Sequence, residues 1–181
     1  MEFLSKIEKK VLGWFKTVPD LPAGGRKWLG DNIWWIILIV GILTALSALG
    51  TLGTITTRMS LLGSLAATYY VSSATTSWLI VADFVSLGFL ILQAILLIVA
   101  IQPLKEKQKK GWVLLFVSWL VAGIAVVVNA VLGLSIFGFI FAVIFGAVWL
   151  AISGYFLFEM HGQFAHVERS RGVKKAEKVT K

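Results

Sequence analysis

Hydrophobic positions come in four long blocks, each broken from the next by polar or basic residues. The blocks run from Ile33 to Ile55, Trp78 to Ile101, Trp112 to Leu134 and Ile136 to Phe158, each 23 or 24 residues long. A helix needs about 20 apolar residues to cross roughly 30 Å of hydrocarbon, so each block predicts a transmembrane helix with some tilt. The third and fourth are joined by little more than GLSIF and predict a tight antiparallel hairpin. Trp34, Trp35, Trp78, Trp112 and Tyr155 fall near block ends, where amphipathic rings favour the headgroup level.

Two further segments carry helical periodicity without reaching across a bilayer. MEFLSKIEKKVLGWFKT sets Phe3, Leu4, Ile7, Val11, Trp14 and Phe15 on one side and lysines largely on the other, the pattern of a helix lying on an anionic membrane surface. VPDLPAGG then supplies two prolines and two glycines to separate it from the first span. MSLLGSLAATYYVSSATTS, residues 59–77, has no charge but ends too polar for lipid. Its Leu61, Leu62, Leu65 and Tyr69 make one greasy face, which predicts a short external helix between spans 1 and 2.

The fold expected is therefore an all-α membrane protein. It comprises a four-helix transmembrane bundle over 33–158, an N-terminal amphipathic interfacial segment over 1–32 and a basic tail over 159–181. Composition agrees. Of 181 residues, 58% are hydrophobic and only 14% charged, about half the charged share of a soluble domain. A charged start followed by a hydrophobic block that opens only at Ile33 reads as a retained signal anchor and not a cleaved leader.

Charge sets the orientation. Of 17 basic residues, all but Arg58 lie before the first span, in the LKEKQKKG loop or in the tail. With four spans these three segments share a side, and the positive-inside rule makes it the cytoplasm. The chain is expected in the cell membrane as a multi-pass protein with both termini cytoplasmic, its basic ends meeting anionic headgroups. Because topology already accounts for the net charge of +8, nucleic acid is not an expected partner.

Polar groups inside the spans are few. At about 100° per residue, Asp83, Ser86 and Gln93 form one stripe on the second span; Ser118 and Asn129 mark a face of the third. Thr44, Ser47, Thr51 and Thr54 give the first span a polar side. An acid in an apolar helix must pair, stay protonated or face water. Arg58 is the one basic residue on its side of the membrane, so Asp83 is expected to pair with Arg58 or with the polar groups of spans 1 and 3. The sharper alternative is a cation or proton site in an outward-opening cleft, with Thr51, Asn129 and Gln93 as ligands or relays. On the fourth span Gly138, Ala142 and Gly146 form a small-xxx-small packing ridge, expected to serve within the bundle before any homo-oligomer.

Chemistry is otherwise sparse. Cysteine is absent, which excludes disulfides, thiolate metal sites and a cysteine nucleophile. No HExxH, GxSxG or P-loop is present, and Asp83 has no second intramembrane acid. Glu159, His161 and His166 cluster after the fourth span, but their spacing matches no metal-ligand pattern and reads as a solvated helix end. No catalytic residue, metal or cofactor is expected.

The junction KEKQKKGWVLLFVSWL, a basic loop leading through Gly-Trp into a leucine- and phenylalanine-rich span, resembles that of small uncharacterised four-span bacterial integral membrane proteins. The likeness covers the last half of the chain and brings no activity with it. Together these readings predict a non-enzymatic polytopic membrane protein, a structural or assembly subunit with protein partners or a second copy of itself. The alternative is a small oligomeric channel or transporter with an outward-facing polar cleft around Asp83.

Overall fold

The computed structural model describes residues 6, 7, 10, 11, 13, 19–64, 73–133 and 135–164. Among the described residues four long helices follow one another: α1 Ala23–Gly63, α2 Ser73–Lys105, α3 Lys109–Leu132 and α4 Ile136–Glu159. All four are long and apolar enough to cross a membrane, which makes this a multi-pass membrane protein by length and composition. No strand occurs among the described residues.

Local chemistry sets the helix ends. Pro22 precedes α1, and its carbonyl accepts the Arg26 N–H at 3.1 Å. Both glycines of AGG are absorbed in the first turn, so the helix begins ten residues before the apolar block. No breaker interrupts it at Arg58, and it runs on to Gly63, where extended Ser64 turns its N–H and hydroxyl back to the Leu61 carbonyl. Of the external helix expected over 59–77, the first residues, with Leu61 and Leu62, finish α1 and the last, from Ser73, begin α2; the stretch between them, with Leu65 and Tyr69, lies outside the described residues.

The turn from α2 to α3 is tight. Gln108 N–H bonds the Pro103 carbonyl at 2.8 Å and Lys107 N–H bonds Leu104 at 2.9 Å, the paired closure that needs one left-handed residue. Lys107 takes that role at φ 52°, and its ammonium reaches Asp31 at the start of α1. Gly111 then lies against the backbone of α2: a Cβ there would sit 2.7 Å from Leu104 N and 2.9 Å from the Pro103 carbonyl carbon. At the other hairpin, the Ser135 hydroxyl caps α4 by accepting the Gly138 N–H at 3.2 Å.

Packing is sequential and not closed. α1 packs on α2, α2 on α3 and α3 on α4, while α1 and α4 approach each other at the basic end, where the helices carry their lysines. The buried core sits at that same end: Ile33 from α1, Leu97, Ala100 and Leu104 from α2, Trp112, Leu115 and Phe116 from α3, Leu157 and Phe158 from α4. Trp112 stacks on Phe116 at 5.4 Å and meets the edge of Phe158 at 5.8 Å. Val11 of the N-terminal segment is buried in this core, with Ile7 against it. These two positions of the expected surface helix thus contact the chain itself; Phe3, Leu4, Trp14 and Phe15 lie outside the described residues. Toward the opposite end α4 leaves the other helices, and Ile136 and Phe137 are 80% and 76% exposed. The four helices expected of the bundle are observed as a row of antiparallel neighbours whose buried core lies at the basic end.

Candidate functional site

Polar side chains collect where α1 ends and α2 begins. The two helices run antiparallel, with Lys105 stacked over Trp34 at the basic end and Leu97 3.7 Å from where a Gly41 Cβ would stand. This register brings Arg58, one turn and a half before the end of α1, to Asp83. Arg58 Nε lies 2.9 Å from Asp83 Oδ2, with the side chains 29% and 20% exposed. The N–H does not point along the contact: Oδ2 is buried and receives no aligned hydrogen bond. Charge, not a directional bond, holds the pair.

Asp83 also stands higher than its place in an apolar sequence suggests. One turn toward the basic end, Ser86 Oγ lies 2.7 Å from Asn129 Oδ1, and Asn129 is three residues from the end of α3. One turn is about 5 Å, so Asp83 is level with the point where α3 stops. α3 and α4 have 24 residues each, or about 36 Å, which matches the hydrocarbon thickness with little to spare. Arg58 and Asp83 therefore sit at the boundary of the apolar layer, and α1 and α2 project past it.

The Ser86 hydroxyl has a second acceptor, the Ala82 carbonyl at 2.9 Å, and one proton for the two. An Asn129 amide turned to donate from Nδ2 to Oγ satisfies both contacts. Trp78 is fixed by the same neighbour, its indole N–H donating to the Leu132 carbonyl at 3.0 Å, where α3 has no further N–H to offer. Trp112 and Trp119 do likewise across α3 and α4, donating to Leu157 at 2.8 Å and Leu150 at 3.0 Å. Beyond their position near span ends, Trp78 and Trp112 each tie two helices together, and Trp112 is fully buried in doing so.

Of the six polar residues expected to cluster, the structure assembles two pairs, Arg58 with Asp83 and Ser86 with Asn129, and leaves Thr51 and Gln93 apart. Thr51 donates to the Ser47 carbonyl of its own helix at 3.0 Å, and Thr44, Ser47 and Thr54 bond back to Val40, Leu43 and Gly50 in the same way. A hydroxyl satisfied by its own backbone has no need of a partner helix. Gln93 lies seven residues, about 10 Å, below Ser86, half-exposed and without a hydrogen bond among the described residues. Beyond it α2 enters the buried core through Leu97, Ala100 and Leu104.

The small-residue ridge of α4 is a single contact. A Cβ on Gly146 would stand 2.4 Å from Val126 Cγ1 of α3, so this glycine permits close packing; a Gly138 Cβ would meet its own cap residue Ser135 at 3.3 Å, and Ala142 is half-exposed. At the basic end Glu159 faces inward, 10% exposed, accepting the Leu21 N–H at 3.2 Å with Arg26 Nε 3.7 Å away. Tyr155 donates to the Pro19 carbonyl at 2.8 Å, and the His161 ring packs edge-on against Trp112 at 4.6 Å. Glu159 and His161 are thus engaged in packing the ends of the chain together, and His166 lies outside the described residues. No group of three acidic or histidine ligands occurs among the described residues.

The sequence suggested an outward-opening cleft at Asp83 with Thr51, Asn129 and Gln93; the structure has a cleft of ≈ 690 Å³ between α1 and α2 lined by none of these four, but by Gly50, Gly53, Thr54, Thr57, Arg58 and Leu61 from α1 and by Thr76 and Leu79 from α2. The signal was present as the glycine, threonine and arginine at three- and four-residue spacing, but which helix would stand opposite was not written there. Comparison with protein-family models, curated proteins and solved structures finds no match.

Proposed function

We propose that this chain is a non-enzymatic integral membrane protein, a structural or assembly subunit oriented with its basic end and both termini in the cytoplasm. The observation that carries this reading is the pairing of its intramembrane polar groups at one rim. Asp83 is matched by Arg58 and Ser86 by Asn129, while the way inward from Gln93 meets the aromatic core around Trp112 and Phe116. Charged and amide groups spent on helix contacts hold helices in place; they do not line a passage. The face of α4 that α3 leaves uncovered supports a lateral contact role, for a protein partner or a second copy, and the lysines of the α2–α3 turn support attraction to anionic headgroups.

A second reading, a small channel or transporter, draws support from the cleft beside Arg58 and Asp83. Ion and solute flux into proteoliposomes separates the two. A structural subunit leaves vesicles as tight as protein-free ones, with or without Asp83→Asn. Conductance that Asp83→Asn abolishes in a still-folded protein overturns it in favour of transport.

A further inference from the structure

We propose that the cleft between α1 and α2 binds one anionic phospholipid, its phosphate on Arg58 and an acyl chain laid over Gly50 and Gly53. On α1 the lining residues Gly50, Gly53, Thr54, Thr57, Arg58 and Leu61 recur at three- and four-residue intervals, so they form one strip about 16 Å long. Arg58 stands near the upper end of that strip, level with the end of α3, at the headgroup boundary. Gly50 lies eight residues lower, about 12 Å into the apolar layer. A cation at the boundary above an apolar furrow has the shape of a phospholipid, with headgroup over tail.

The furrow is open. A Cβ built on Gly50 or on Gly53 meets nothing within 4 Å, so a groove runs along the helix where side chains would otherwise stand. The threonine hydroxyls offer no competing donor, because Thr54 gives its proton to the Gly50 carbonyl and Thr57 to that of Gly53. Arg58 does offer donors. Its guanidinium approaches Asp83 through Nε and makes no hydrogen bond among the described residues, which leaves the planar fork suited to phosphate oxygens. A choline or ethanolamine headgroup would bring a second cation beside Arg58, so a headgroup with a net negative charge fits better. A free phosphate would engage the guanidinium and leave the furrow unused. This binding does not depend on the assembly role proposed above.

Native mass spectrometry of the purified full chain, titrated separately with phosphatidylglycerol, phosphatidylcholine and inorganic phosphate, tests the proposal. One phosphatidylglycerol is expected to be retained, about tenfold more tightly than phosphatidylcholine, roughly the size of the like-charge repulsion between a choline cation and Arg58 at a partly solvated boundary. Gly53→Leu places a side chain in the furrow from a position whose Cβ meets nothing within 4 Å, so it should weaken phosphatidylglycerol binding while the circular dichroism spectrum is unchanged. Asp83→Asn removes the carboxylate that competes for Arg58 and should strengthen it. Equal retention of both lipids, an unaffected Gly53→Leu variant, or inorganic phosphate displacing the lipid at comparable concentration would each overturn the assignment.

Discussion

Asp83 is tolerable in an apolar helix because of its height and its neighbour. Level with the end of α3, it is spared the full cost of the bilayer interior, and Arg58 at 2.9 Å balances its charge. For a half-buried pair, removing one partner strands the other charge, which costs more than removing both. Arg58→Gln and Asp83→Asn are therefore each expected to lower stability by about 1–3 kcal/mol, and the double variant by less than their sum. Thermal unfolding in a mild detergent measures the cycle; strict additivity would mean that the two charges do not interact. This pair was legible in the sequence because Arg58 is the one cation between the first two apolar blocks. The separation of Thr51 and Gln93 was not: the first depends on a hydroxyl choosing its own helix carbonyl, and the second on how far one helix extends past its neighbour.

Among the elements, α3 and α4 follow their apolar blocks within a few residues, since lysines, Gly133 and Ser135 punctuate the chain where the helices stop. α1 and α2 exceed theirs, because hydrophobicity marks where a helix meets lipid and not where hydrogen bonding ends. Pro22 and Ser64 decide the second question for α1. Packing between the elements owes little to apolar burial, as lipid is as apolar as leucine, and rests on close backbone approach and interhelical hydrogen bonds. Gly111 is the clearest case. Its missing Cβ would stand 2.7 Å from a backbone nitrogen of α2, where nothing can yield. Gly111→Ala should destabilise by about 1–3 kcal/mol, the usual cost of overpacking. Gly50→Ala, which meets open space, should be neutral or slightly stabilising through helix propensity. The same unfolding experiment reads both, and equal effects would contradict the close contact.

At the scale of the molecule, the helices are joined firmly at the basic end and loosely at the other. Aromatic stacking around Trp112, the Trp112 and Trp119 indole bonds and the Glu159 contacts to Leu21 and Arg26 all lie toward one side. The Arg58–Asp83 pair, the Ser86–Asn129 contact and the Trp78 bond to the Leu132 carbonyl tie the helices near the opposite rim. If those polar groups close the rim, water should stop above Ser86. The chain has no cysteine, so single cysteines can be placed without interference. A membrane-impermeant thiol reagent applied from the Arg58 side should label Ser64→Cys, at the projecting end of α1, and leave Ser86→Cys and Gln93→Cys protected in folded protein. Labelling that continues through both 86 and 93 would mean a water-filled path along α2 and would contradict the account.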